Sequence, residues 1–337
     1  MRSFEFSTVE RVTEAVRLGT VQARSPIASP VQFLAGGTQM LDLAKLDVMR
    51  PEHLVDITKL DDPVLTSIES GSEGLRLGAL VTMRQAAEHP AVLRDYPVIS
   101  QSLSKAASQQ IRNMGRLGGN ALQRTRCSYF RDIQSRCNKR TPGQGCDAID
   151  GNNRWHAVLG TSDDCIASYP GDWAIAMVAL GATLDVVGPA GRRTLSFENL
   201  HRLPGNSPDI ETALKPGELI VSFFVPAGPW TKRSLYLKIR DRESYEFGLA
   251  TVAVALDTEG DIVRSIRLGL GGPVAKPWRL KSVEDALIGK RLSEETATEA
   301  ADLAFVGARP RKHNAFRIPL AKAAIVRALI EAKDMAA

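Results

Sequence analysis

The chain has 337 residues, 44% hydrophobic and 24% charged, with a net charge of +5 and an isoelectric point near 9.1. That composition is close to the globular average, which excludes a disordered or fibrous chain, and the length supports two or three compact units with real cores. No run of about 18 apolar residues occurs, which excludes a membrane-spanning helix, and the basic balance permits an anionic partner without requiring one.

In chain order, Met1-Arg2-Ser3-Phe4-Glu5-Phe6 lacks the apolar stretch of a secretory signal, so export under its own address is not expected. An amphipathic helix is expected over residues 8–18, with Ser7 and Glu10 at capping-box spacing. Residues 31–34 and 53–57 read as strands, the first ending in Ala35-Gly36-Gly37-Thr38-Gln39-Met40-Leu41. A strand over 75–80 and helices over 83–88 and 98–111 lead into Gly115-Arg116-Leu117-Gly118-Gly119-Asn120. Further on, Asp172 heads an apolar helix over 173–180. A hairpin around Gly188-Pro189-Ala190-Gly191 and a strand over 218–225 close this unit. Pro226-Ala227-Gly228-Pro229 marks a domain boundary. Beyond it come β stretches over 234–239, 250–257 and 262–271, the last two joined by Thr258-Glu259-Gly260-Asp261. Helices follow over 283–288, 294–306 and 319–333, and strands followed by helices indicate an α+β unit.

All four cysteines, Cys127, Cys137, Cys146 and Cys165, fall in one 39-residue window with the spacing C-x9-C-x8-C-x18-C. Four thiols gathered in an otherwise cysteine-free chain suggest one shared ligand, a zinc ion or an iron–sulfur cluster. Two disulfides, which need an oxidising compartment, and unrelated buried thiols are the alternatives. The window has neither the C-x2-4-C knuckle common in zinc sites nor a C-x2-C-x2-C run, so spacing favours a metal centre without naming it. Between Gln101 and Arg140 stand nine cations (Lys105, Arg112, Arg116, Arg124, Arg126, Arg131, Arg136, Lys139, Arg140) against the single acid Asp132. Such a surface suits an acidic carrier, or is simply a solvated basic face. With only Tyr129 and Phe130 as aromatics and no recognised module, it does not read as a nucleic-acid site. His53, His89, His156, His201 and His313 show no metal-ligand spacing and are expected in structural or surface roles.

The two glycine turns carry the second signal. At Ala35-Gly36-Gly37-Thr38, side-chain-free positions let backbone N–H groups approach an anionic oxygen, and the threonine hydroxyl adds a donor. Gly118-Gly119-Asn120 offers a second such turn, and two turns suffice to clasp a pyrophosphate. Neither fits G-x-G-x-x-G or G-x4-G-K-[ST], which excludes the Rossmann and P-loop readings.

The stretch from Phe33 through Leu34-Ala35-Gly36-Gly37-Thr38-Gln39-Met40-Leu41 to Leu43 resembles the first flavin motif of the FAD subunits of molybdenum hydroxylases. Ile111 to Asn120 resembles the second. The resemblance covers nearly the whole chain. It implies an α+β fold: a two-part FAD-binding domain of the PCMH/VAO type over 1–226 (subdomains about 1–58 and 59–226), then a CO-dehydrogenase-flavoprotein-type domain over 229–337. The cysteine segment, about 121–168, is similar to an insertion found in the periplasmic aldehyde oxidoreductase branch, where it holds a 4Fe–4S cluster. By that resemblance Cys127, Cys137, Cys146 and Cys165 are the cluster ligands, and Leu34 to Leu41 with Arg116, Leu117, Gly118, Gly119 and Asn120 hold the FAD pyrophosphate. Asp172 lies near the flavin's sugar or ribityl hydroxyls, Ile220 and Lys238 near its ring, and Tyr245 either beside the flavin or in plain sheet packing. Relatives place Ser or Thr where this chain has Arg116, and His-Pro-Ser-Asp where it has Tyr169-Pro170-Gly171-Asp172. Arg116 then either binds the pyrophosphate or points away.

The implied function is the electron-transfer flavoprotein subunit of a heterotrimeric aldehyde oxidoreductase, an oxidoreductase subunit with no catalytic residue of its own. Its partners are a molybdenum-cofactor large subunit, a 2Fe–2S small subunit and an external acceptor such as a ferredoxin. The implied location is the periplasm, by co-export with a signal-bearing partner, with the cytoplasm as the alternative. Two other readings remain at this stage: a 4-hydroxybenzoyl-CoA-reductase-type subunit with inward electron flow, and a zinc-stabilised nucleotide-binding interaction module.

Overall fold

The computed structural model describes residues 1–335, so the last two residues of the C-terminal domain expected over 229–337 lie outside the described residues. The chain begins with β1 (Glu5–Thr8), α1 (Val12–Gly19), β2 (Val31–Leu34), α2 (Met40–Lys45) and β3 (His53–Asp56). The strands form a small parallel sheet in the order β1-β3-β2. The helix expected over 8–18 starts later. Residues 5–8 are recruited as an edge strand, and Ser7 bonds His53 Nε2 at 2.7 Å instead of capping a helix. Pairing across the sheet outweighs the local capping signal.

Next come β4 (Ile68–Ser70), β5 (Gly74–Gly78), α3 (Met83–Glu88), α4 (Pro90–Asp95), α5 (Pro97–Ser104), α6 (Gln109–Met114), α7 (Leu117–Ala121) and α8 (Ser128–Arg131). After the cysteines follow α9 (Trp173–Ala179), β6 (Thr183–Gly188), β7 (Gly191–Ser196) and β8 (Leu219–Pro226). The helix expected over 98–111 is two helices. Ala107 takes a left-handed φ of 49° and breaks the run between Ser104 and Gln109. The sheet order β4-β5-β8-β6-β7 puts the last strand in the middle, so residues 219–226 tie the early and late halves together. Thr82 opens α3 with a true capping box, exchanging hydrogen bonds with Gln85.

The C-terminal unit contains β9 (Ser234–Ile239), β10 (Ala250–Glu259), β11 (Ile262–Gly271), β12 (Trp278–Arg279), α10 (Lys281–Leu287), α11 (Glu294–Asp302) and α12 (Arg317–Lys333). Its antiparallel sheet runs β12-β11-β10-β9. Every residue of α9 is buried, because it lies between the five-stranded sheet and this second sheet. Trp173 meets Phe223 edge-on at 4.8 Å and Phe197 at 6.0 Å, contacts worth about 1 kcal/mol each beyond burial. On its other side α9 approaches β11 so closely that a Cβ on Gly269 would stand 2.5 Å from the Ile175 carbonyl oxygen.

Arg317, 1% exposed, secures α12 to the rest. It donates to the carbonyls of His156 at 2.9 Å and Leu249 at 2.8 Å, and to that of Gly248 at 3.3 Å. It has no carboxylate partner among the described residues, and burial, then Arg154, pulls its guanidinium down to about 10. Arg317→Met keeps the volume but orphans these carbonyls, so chemical denaturation should show a loss of about 3 kcal/mol; a loss below about 1 kcal/mol would mean the carbonyls find other donors.

Candidate functional site

A cavity of about 810 Å3 opens where the two halves of the N-terminal domain meet β9, near the top of the roughly 300–1,000 Å3 range of small-molecule sites. Ala35, Gly36, Gly37, Thr38, Gln39 and Met40 line one side. Arg116, Gly118, Gly119 and Asn120 line another, and Asp172, Ile220 and Lys238 a third. Leu34, Leu41 and Leu117 do not line it. Leu34 and Leu41 pack behind the first turn, within 3.6 Å and 3.2 Å of where a Gly37 Cβ would stand, and Leu117 is fully buried.

The two turns are held against each other by backbone contact. A Cβ on Gly36 would come within 2.0 Å of the Met114 carbonyl oxygen, so only glycine lets α6 close on the first turn. Gly37 has φ +70°, and the amides of Gly37, Thr38 and Gln39 have no protein acceptor among the described residues. The second turn offers less than its sequence suggests: the Leu117 and Gly118 amides already donate to the carbonyls of Val81 and Ala79. Gly119 is the open position, where a Cβ would meet nothing within 4 Å.

Arg116 donates to the Leu80 carbonyl at 3.0 Å while its buried Nε lacks a partner, as do Asn120 Oδ1 and Arg126 Nε. Burial lowers the guanidinium affinity for protons of both arginines. The wall carries six cations (Arg116, Arg124, Arg126, Arg131, Lys238, Arg242) against four carboxylates (Asp42, Asp172, Glu218, Glu246). That excess of two positive charges, the free amides and the unpartnered polar atoms fit the pyrophosphate of FAD.

At the third wall Asp172 is occupied by protein. Its Oδ1 accepts from Tyr236 and its Oδ2 from Lys238, both at 2.8 Å, and Lys238 also donates to the Lys105 carbonyl. Burial pushes the Asp172 carboxyl up in spite of Lys238. A ligand hydroxyl therefore meets a carboxylate already fixed in place, not a free one. Tyr245, with φ +53°, stands at the mouth beside Phe247, not in the sheet.

The cysteine segment is bolted to this cavity. Gln39 exchanges two hydrogen bonds with the Arg124 backbone, so its side chain is committed to that segment. Arg126 and Arg131 both hold Asp42 of α2, at 3.1 Å and 2.7 Å. Leu43, Met49, Phe130 and Cys137 form a shared core. The four cysteines are free of disulfides. Cys137 and Cys146 face one another on a β-bridge. Burial, more than any neighbour, pushes the Cys127 thiol up to about 12 and Cys165 to about 11, while backbone amides including those of Phe130 and Ala167 point at the sulfurs. No set of three or more His, Cys, Asp or Glu side chains closes on a single ion among the described residues. The donor chemistry suits a cluster, whose four thiolates each take a different iron.

Most cations of the window, which the sequence suggested as a docking face, are turned inward, and Arg136 alone stays largely exposed. Arg124 and Lys139 hold Glu211, Arg136 holds Asp147, and Arg140 donates to the carbonyls of Tyr129, Phe130, Asp132 and Ser135. Arg112 and Lys105 likewise donate to carbonyls. Arg242 and Phe247 are wall residues that sequence reasoning did not single out, and Arg126 and Arg131 were read there only as part of a basic face. Their contacts span 84 and 89 residues for the two arginines, and no local pattern signals them.

Residues 2–228 match the family model described as the FAD binding domain in molybdopterin dehydrogenase, and residues 235–332 match the CO dehydrogenase flavoprotein C-terminal domain. The chain is 41% identical over 330 residues to the aldehyde oxidoreductase FAD-binding subunit PaoB of Escherichia coli, covering 98% of this chain and 99% of that one. It is 25% identical to the carbon monoxide dehydrogenase medium chain of Hydrogenophaga pseudoflava, covering 91% and 88%. The fold matches a chain of reconstituted CO dehydrogenase from Oligotropha carboxidovorans with a TM-score of 0.76 at 23% identity, covering 99% of both.

Gly119→Leu would start a side chain in the space left for the ligand, from a Cβ with no protein atom within 4 Å. We expect FAD content of the purified protein to fall at least about tenfold, with the melting temperature of the flavin-free protein unchanged; full flavin content in that variant would put the FAD elsewhere. Behind α7, buried His201 donates Nε2–H to the Ala121 carbonyl at 2.8 Å, and burial lowers it from 6.5 to about 4. The unfolded chain takes up this proton below 6.5 and the folded one resists until about 4. Its contribution, up to about 3 kcal/mol, is therefore complete above pH 6.5 and is lost as pH falls towards 4. His201→Gln should flatten the stability–pH curve in that window.

Proposed function

This chain belongs to the FAD-binding medium subunits of the molybdenum hydroxylase family, and we propose that it is the electron-transfer subunit of an aldehyde oxidoreductase carrying a 4Fe–4S cluster beside its FAD. Members of the family are oxidoreductase subunits that work with a large and a small subunit. The reading that the substrate class is an aldehyde is carried by one observation: end-to-end similarity, at 41% identity, to a relative bearing that activity in its name.

FAD, when bound, supplies a carrier that handles electrons singly or in pairs, and a cluster supplies one that handles them singly. The residues of this chain bind and orient. The amides of Gly37, Thr38, Gln39 and Gly119 and the Arg116 and Arg126 guanidiniums would hold the pyrophosphate, while Ile57, Leu80 and Leu219 contribute apolar wall that excludes water. Lys238 and Asp172 form a fixed buried pair beside Ile220, where a ring system would sit. Cys127, Cys137, Cys146 and Cys165 would hold the cluster, and burial raises the proton affinity of the Cys127, Cys146 and Cys165 thiols, so that iron, not the protein field, must draw those protons off. Reducing equivalents would arrive from a 2Fe–2S partner and leave to an external acceptor. The assembled complex would work in the periplasm, exported with a signal-bearing partner.

Purified, anaerobically handled complex should contain, per copy of this chain, one FAD and about four iron beyond those of the 2Fe–2S partner. Cys146→Ser should lose most of that iron and keep the flavin. A colourless protein holding zinc alone would overturn the redox reading, and full iron in Cys146→Ser would remove that residue from the ligand set. Cell fractionation that finds the assembled complex only in the cytoplasm would overturn the assigned location.

A further inference from the structure

His156 takes no part in holding the flavin, yet it is 3% exposed and its Nε2 stands 3.1 Å from the Cys127 sulfur. The other ring nitrogen, Nδ1, is buried and has no protein partner. The backbone of His156 is held from the opposite direction by the C-terminal domain. Arg317 donates to the His156 carbonyl at 2.9 Å, and Asn314 Nδ2 lies 3.3 Å from the same oxygen. The His156 amide donates to the Asn153 carbonyl at 3.0 Å, and Asn153 accepts in turn from the His313 amide. With the backbone clamped on both sides and the side chain buried, the imidazole has little room to turn away from the sulfur.

We propose that His156 is a positioning residue that donates Nε2–H to the Cys127 sulfur and thereby raises the reduction potential of the iron–sulfur centre. The inference rests on the cluster reading above. A sulfur that ligates iron is a thiolate and has no proton to give, so the proton in this contact must sit on nitrogen. Reduction adds negative charge to the centre and its sulfurs, and a hydrogen bond to sulfur favours that state, which is one of the levers that set such potentials. The neighbouring Tyr129 ring lies 6.1 Å from the imidazole, and its hydroxyl oxygen accepts from the Asn152 amide.

The test is a redox titration of the purified complex, followed by electron paramagnetic resonance, for wild type, His156→Phe and His156→Gln. Iron content and the flavin midpoint are read on the same samples. With full iron retained, His156→Phe should lower the reduced-to-oxidised ratio of the cluster at a fixed potential by about tenfold, which is about 59 mV for a one-electron couple. His156→Gln, whose amide still donates, should recover at least half of that shift, and the flavin midpoint should not move. An unchanged cluster midpoint in His156→Phe overturns the proposal. Loss of iron in both variants overturns it too, because His156 would then be a ligand or a scaffold. A wild-type complex with no iron beyond that of the 2Fe–2S partner defeats the cluster reading itself, a failure distinct from either of these.

Discussion

The arrangement depends on a join between two segments far apart in sequence. Gln39, inside the first glycine turn, closes a two-way hydrogen-bonded pair with the Arg124 backbone. Three residues on, Asp42 receives Arg126 and Arg131. A glutamine paired with a peptide unit is a fixed-register contact, because both its donor and its acceptor are used. The cysteine segment therefore cannot shift without moving the turn that faces the cavity. The small core of Leu43, Met49, Phe130 and Cys137 fills the space beneath. Since the three ionic side chains are about one-third exposed, the ion pairs mostly set geometry, and burial of the apolar cluster supplies most of the attraction.

The cavity is also not the property of the FAD-binding domain alone. Lys238 and Tyr236 reach Asp172 from β9, on the far side of the Pro226 to Pro229 boundary. Lys105 and Arg240 complete a web of donors around the Lys105–Tyr236 seam. Burying a carboxylate costs several kcal/mol unless it is paired and hydrogen-bonded. The Asp172 site meets that condition only when both domains are docked. The close passage of α9 over Gly269 makes the same demand sterically.

Much of this was legible because it is local. Strands at 31–34, 234–239 and 262–271 follow from short apolar runs bounded by turn residues, and the glycine turns follow from backbone chemistry. What misled was local signal overruled from a distance. Ser7 and Glu10 have capping spacing, yet the edge of β3 captured residues 5–8 as a strand. Charge misled in the same way. Nine cations in forty residues look like a surface until each finds a carbonyl or carboxylate, six of them from another segment. Resemblance named Leu34, Leu41 and Leu117 as ligand contacts, whereas they are the apolar backing that keeps the turns in shape.

The inward cations explain how an insertion this irregular holds a shape. Between Gln123 and Tyr169 the only regular element is the single turn α8, so most backbone carbonyls there have no ladder to join. Arg140 alone satisfies carbonyls of Tyr129, Phe130, Asp132 and Ser135, doing for a loop what a helix's own amides do for its carbonyls. Arginine suits this because its five donors spread in a rigid fork. Lys139 acts on the Cys165 sulfur, and its charge would offset part of the negative charge of a thiolate-ligated centre. The same residues thus supply scaffold and electrostatics together. Asn120 on the cavity wall and Cys127 are seven residues apart, at most about 25 Å of extended chain. That short tether, fixed at Arg124, keeps the two sites neighbours.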